Sequence, residues 1–223
     1  AGITVTSMLT YYSAPVFAYI NEETIYSNLD SSGAVYKSSV TTIVEDKKGT
    51  KTTQDETKES LPIETKISYF LDGKEKEASE IAGQKGRVTI KLEFENKEKH
   101  NDIYTPFVVV AGLMIDNNEN SNIEIVNGKL LTNGNSTIAV GVALPGMQES
   151  LELDESKIKI PSSVEISMDT ESFESGNIMV YASPKLLGEL NISMDDFDEI
   201  FEQVDALETA SKALETGASS LAD

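Results

Sequence analysis

Residues 87–94 read Arg87-Val-Thr-Ile-Lys-Leu-Glu-Phe94 and alternate without a break. Val88, Ile90, Leu92 and Phe94 fall on one side, and Arg87, Thr89, Lys91 and Glu93 on the other. Successive side chains of a strand point to opposite faces, so this octapeptide is expected to be a half-buried antiparallel strand. Its apolar face needs a second layer, and the flanking sequence offers strands to build one. Residues 63–71 run into Asp72-Gly73, a two-residue turn signal. Residues 105–115 form a longer apolar run, expected to be buried on both faces or to lie beside another layer. Residues 123–126 reach Asn127-Gly128, residues 129–132 reach Asn133-Gly134, and residues 137–144 follow, so two consecutive hairpins are expected. Residues 163–168 and 177–182 complete the set. Seven to nine short strands separated by turn residues predict a mainly β chain. Its main domain, residues 61–184, is expected to be an antiparallel β-sandwich, immunoglobulin-like in shape but without the cysteine pair and core tryptophan of that fold.

N-terminal to this domain, residues 24–29 and 34–44 flank Asp30-Ser-Ser-Gly33 and read as a hairpin rich in β-branched residues. Residues 45–60 contain no large hydrophobic side chain, so a solvated loop or linker is expected there. Together, residues 19–60 form an expected hairpin unit and polar linker. Residues 1–18, AGITVTSMLTYYSAPVFA, carry no charge and end in Val16-Phe17-Ala18 just after Pro15. Small or aliphatic residues at −3 and −1 are what signal peptidase accepts, so this stretch reads as a signal-peptide remnant with the mature chain starting near Tyr19. A buried first strand is the alternative.

At the other end, residues 185–223 are expected to open a helical stalk. Ser193 is a good N-cap, and Asp195 and Asp196 fall in the first turn, where the helix dipole favours acids. Ile200, Val204, Leu207, Leu214 and Leu221 then form one stripe, with the three leucines seven apart. A helix cannot bury such a stripe alone, so it is the expected site of protein partnering and self-association. The alternative is a single amphipathic helix packed on the sandwich.

The formal net charge of the 223 residues is −20. Such a surface repels phosphates and anionic lipid headgroups, which argues against nucleic acid and membrane surfaces as direct partners. There is no cysteine, hence no disulfide, thiolate zinc site or thiol nucleophile. His100 is the single histidine and sits in a polar turn, so it cannot anchor a typical transition-metal site. The best cation candidate is residues 116–122, where Asp116, Asn118 and Asn120 match the first three ligand positions of an EF-hand loop. Ser121 stands where that loop needs glycine, and Asn127 where it needs glutamate, so an Asn/Asp-rich turn is the plainer reading. Gly83-Gln-Lys-Gly86 is too short for a phosphate loop, and residues 144–151, Leu-Pro-Gly-Met-Gln-Glu-Ser-Leu, read as a turn closing two strands, with a contact tip presenting Met147 and Gln148 as the alternative. No catalytic residues, cofactor or enzyme activity are expected.

Leucine at heptad spacing, once as Leu214-Glu-Thr-Gly217, after an all-β region resembles the Gram-positive surface proteins with X-X-X-Leu-X-X-Gly heptad repeats, related to the phage-infection-protein (Pip/YhgE-type) membrane proteins. The local strings at residues 21–29, 61–63, 69–74, 82–88, 104–107 and 144–151 fit that family's N-terminal region in order. The resemblance implies an exported, extracellular protein of the cell envelope whose membrane anchor lies beyond residue 223. It implies no known activity; the leucine stripe, the signal-like N-terminus and the lack of catalytic residues together point to a scaffold, adhesin or receptor-like role, with an accessory ectodomain of a type VII-like secretion system as the alternative. It supplies no catalytic residues.

Overall fold

The alternation at residues 87–94 places β7 (Gly86–Asn96) at the centre of a five-stranded sheet in the computed structural model of the chain. The structure describes residues 5–11, 20–46, 49–56, 61–100, 103–157 and 159–184. On one side β7 pairs antiparallel with β5 (Ile63–Leu71), in register Ile67↔Leu92. On the other it pairs with β14 (Ser163–Thr170), in register Ile166↔Ile90. The edges are β6 (Lys74–Lys76), joined to β5 through Asp72-Gly73 as expected, and β11 (Asn120–Val126). Val88, Ile90, Leu92 and Phe94 are all buried, and the intervening residues are not.

The second sheet has eight strands. Their spatial order is β12 (Gly128–Asn133), β13 (Ser136–Ala143), β10 (Val108–Asp116), β15 (Ile178–Ser183), β1 (Val5–Tyr11), β2 (Ile20–Leu29), β3 (Val35–Asp46) and β4 (Gly49–Glu56). A short hairpin of β8 (Lys99–His100) and β9 (Ile103–Tyr104) and two single-turn helices, α1 (Ala78–Ile81) and α2 (Met147–Ser150), complete the described elements. Val109, Ala111, Leu113 and Ile115 of β10, Ala139 and Ala143 of β13 and Ile178, Val180 and Ala182 of β15 join the apolar face of the smaller sheet in one buried cluster. The sheets approach closely where Gly141 faces Val164, because a β-carbon at Gly141 would overlap the valine methyls. The architecture is therefore mainly β and sandwich-like, and β10 is buried on both faces over Val108–Ala111, whereas further along the strand Met114 is exposed.

Three sequence expectations differ from the structure. Asn133-Gly134 does join a hairpin, β12–β13, but Asn127-Gly128 does not. Asn127, at φ +61°, carries the chain from β11 in the smaller sheet to β12 in the larger one. It is held by the Val142 N–H donating to its carbonyl (2.8 Å) and by its own Nδ2 donating to the Ser163 carbonyl (2.9 Å). Gly128 serves a close approach, since a β-carbon there would overlap the Val140 carbonyl. The polar stretch at 45–60, expected as a loop, contributes the end of β3 and the edge strand β4, paired from Asp46↔Gly49 to Ser39↔Glu56. An edge strand needs ladder hydrogen bonds rather than burial, and polar residues protect it from further pairing. Third, β2 and β3 pair as the expected hairpin, but they are strands of the larger sheet rather than a unit apart from the main domain. Ile25 and Leu29 lie in the common core, and the Ile67 N–H donates to the Ser32 carbonyl (2.9 Å).

Within the segment read as a signal remnant, Val5–Tyr11 forms β1, with its backbone paired to β15 and β2. This is the arrangement of the alternative, first-strand reading. Residues 185–223, with the expected stalk, lie outside the described residues.

Candidate interaction surface

In the larger sheet, register decides which side chains share a face. Met179 pairs with Gly112, Gly112 with Val140, Met114 with Ile138, and Ile138 with Leu131. These residues alternate with the core positions, so they lie on the face turned away from the smaller sheet. Met114, Leu131 and Met179 are 45%, 38% and 39% exposed, around half-buried Ile138 and Tyr181 and buried Val140. Four neighbouring strands thus present large apolar side chains on a non-core face. Gly112, with no side chain, keeps the surface low between Met179 and Val140. Exposed β12 borders this face as the edge strand, with Leu130 also 36% exposed. Unmasked edge ladders and contiguous apolar surface are the features by which a sheet recruits other chains.

Asp116, Asn118 and Asn120 do come together, at the turn between β10 and β11. There the Asp116 Oδ1 accepts from the Asn118 backbone N–H and from its Nδ2, both at 2.8 Å, and the Asn120 Nδ2 donates to the Asp116 carbonyl at 2.8 Å. The carboxylate is engaged as the acceptor of an Asx turn, the local use that aspartate commonly serves in turns. Among the described residues no group of three or more acidic or histidine side chains is placed to hold a metal ion. The stripe Ile200, Val204, Leu207, Leu214 and Leu221 lies outside the described residues.

The string at 144–151 forms a structural corner. Gln148 donates through Nε2 to the Leu153 carbonyl (2.6 Å) and accepts the Ile160 N–H at Oε1 (2.7 Å), which ties down the following loop. Gly146, at φ +81°, packs so closely on the Tyr104 ring that a β-carbon would overlap it. Gly83-Gln-Lys-Gly86 binds the chain's own loop. The Gly83 N–H donates to the Phe173 carbonyl (2.8 Å), and the Phe173 N–H to the Gln84 carbonyl (2.9 Å).

Two features had no sequence signal. On the solvated side of the smaller sheet, Arg87 donates to the Asn122 carbonyl (2.7 Å), to Asp169 (3.1 Å) and to Glu124 (2.6 Å), which clamps three strands at the β11 bulge. The Asn122 Nδ2 bond (2.7 Å), and then the Arg87 guanidinium, hold the Asp169 carboxyl below its ordinary value. The partners are far apart in sequence, so only the folded register reveals them. The second is a cavity of about 180 Å³ at one end of the sandwich. Ile90, Leu113, Met168 and Phe173 line its apolar part, and Asp116 and Asn120 its polar part.

No helix among the described residues is long and apolar enough to cross a membrane. The chain matches no protein-family model, and no curated protein matches it.

Proposed function

We propose that this chain is the outward-facing part of a cell-envelope protein that works by binding other proteins rather than by catalysis. The observation that supports this most is the Met114–Leu131–Met179 surface beside the open β12 edge. Methionine is flexible and polarisable, and its use on an exposed sheet face suits a surface that adapts to partners. In this reading the sandwich is immunoglobulin-like in shape and acts as a scaffold, adhesin or receptor-like module. Residues 185–223 open a heptad-repeat stalk that self-associates through Ile200, Val204, Leu207, Leu214 and Leu221. The chain is then a relative of the heptad-repeat surface proteins related to the Pip/YhgE-type membrane proteins, with its membrane anchor beyond residue 223.

The test has two parts. The complete gene product, tagged within the sandwich, is expressed in its own cells, and intact cells are treated with trypsin. The reading predicts that the tag is shaved from intact cells, and protection of the tag until lysis would refute it. A chain extended beyond residue 223 is then sized by light scattering. An elongated oligomer is expected, and a compact monomer contradicts the stalk.

A further inference from the structure

We infer that the position held by β1 is a strand-accepting slot, open to an extended, uncharged segment of another polypeptide. β1 lies between β15 and β2 and is the one strand through which the β12–β13–β10–β15 half of the larger sheet is hydrogen-bonded to the β2–β3–β4 half. It pairs parallel with β15 from Val5↔Ile178 to Leu9↔Ala182, and antiparallel with β2 from Val5↔Leu29 to Tyr11↔Glu23. Every other strand pairing in the described residues is antiparallel.

Both walls of this slot are anchored independently of β1. β15 is held by its six-residue ladder to β10, and Ile178, Val180 and Ala182 are buried in the main core. On the other side, Ile25 and Leu29 of β2 lie in the same core. The turn after β2 is pinned to the smaller sheet where the Ile67 N–H donates to the Ser32 carbonyl, and where Gly33 packs against the Thr65 carbonyl. Removing β1 would leave two rows of unpaired backbone groups facing each other across one strand's width, between walls held elsewhere. That is the geometry of strand addition, in which the backbone ladder supplies affinity and alternate side chains supply specificity.

The walls also state what fits. The register positions opposite Ile178, Val180 and Ala182, which are 1%, 4% and 2% exposed, belong to the core-facing set. An occupant therefore needs apolar or small residues at alternate positions and no charge among them. Residues 5–11, Val-Thr-Ser-Met-Leu-Thr-Tyr, meet that rule with no charged residue at all. The same residues read in sequence as part of a cleavable segment, and its removal would hand the slot to a strand in trans. The inference itself does not depend on where the protein resides.

The test keeps the full chain. A site-specific protease sequence is placed within residues 12–18, the chain is cut, and it is briefly unfolded and refolded with excess fluorescent peptide Val-Thr-Ser-Met-Leu-Thr-Tyr. The peptide is expected to co-elute with the sandwich and to protect the amides of residues 178–182 from hydrogen exchange. A peptide carrying Leu9→Lys, at the register position opposite buried Ala182, is expected to bind at least about tenfold more weakly, since a charge cannot be buried unpaired. The inference fails if the refolded chain takes up only its own fragment, if both peptides bind alike, or if the sandwich unfolds when the fragment leaves. Uptake of β1 from a second copy, seen as a dimer before cutting, supports the slot and identifies self-exchange as one of its uses.

Discussion

Gly141 and Val164 test the packing of the two sheets most sharply. A β-carbon at Gly141 would overlap both methyls and the β-carbon of Val164, so Gly141→Ala forces the sheets to shift or the valine off its rotamer. Overpacking of this kind costs about 1–3 kcal/mol. Replacing a strand glycine recovers about 0.5–1 kcal/mol of backbone entropy, which leaves a net loss of about 1–2 kcal/mol. Val164→Ala removes two buried methyls, at about 0.8 kcal/mol each in transfer terms, and leaves a cavity, for about 2–3 kcal/mol in total. If the sites were independent, the double variant would lose about 3–5 kcal/mol. Because the alanine methyl at 141 enters the space vacated at 164, the double variant should lose at least about 1 kcal/mol less than the sum. Urea unfolding followed by circular dichroism measures all four corners of this cycle, and each kcal/mol corresponds to about 2–4 °C in melting temperature for a chain of this size. Additivity within about 0.5 kcal/mol would refute the face-to-face contact.

Arg87→Ala should cost about 1 kcal/mol, since its bonds to Asn122, Asp169 and Glu124 are partly solvent-screened, and Arg87→Lys should recover only part of this because one ammonium cannot span the three acceptors. Asp169 titrates below its ordinary 3.8 when folded, so its contribution is present above that value and is lost as pH falls through the lower folded value. An Asp169→Asn variant should therefore show a shallower acid limb in a melting-temperature profile. Gly33→Ala, at φ +95° and against the Thr65 carbonyl, should destabilise by about 2 kcal/mol or more in thermal melts, whereas Gly73→Ala, strained at φ +75° but facing open space, should cost less. Tyr69 is buried, its hydroxyl has no hydrogen-bond partner, and burial pushes its pKa from 10.0 up to about 12. The stability tied to its neutral form is present below pH 10.0 and is lost as pH rises toward that folded value, so Tyr69→Phe should flatten this alkaline limb while changing neutral-pH stability by less than about 1 kcal/mol.

The strands of the smaller sheet are legible because their residues alternate. Val88 to Phe94 announce β7, and Val164, Ile166 and Met168 announce β14. The larger sheet is harder to read for two physical reasons. β4 is a polar edge strand, held by backbone bonds that leave no hydrophobic period in Gly49–Glu56. β1 pairs on one side with β15, which lies more than 160 residues further along the chain, and an uncharged apolar stretch looks the same whether it is to be exported or buried. Asn127-Gly128 misleads because the dipeptide encodes a positive-φ turn but not which sheet the next strand enters. The candidate surface was hidden too. Met114 and Met179 are single residues in apolar runs, and only the register through Gly112 puts them on one face. The expected cation ligands were brought together as a turn, because aspartate and asparagine side chains bond neighbouring backbone as readily as they bind ions.

The non-core face of the larger sheet, around Met114, Leu131 and Met179, is the surface that we propose meets other proteins outside the cell. Photo-crosslinking on living cells tests it directly, with a photoreactive residue placed in turn at Met114, Leu131, Met179 and, on the opposite sheet, at Lys66. Discrete crosslinked protein bands are expected from the first three positions and none from Lys66. Bands of equal strength from all four positions, or none from the methionine-lined face, would contradict it.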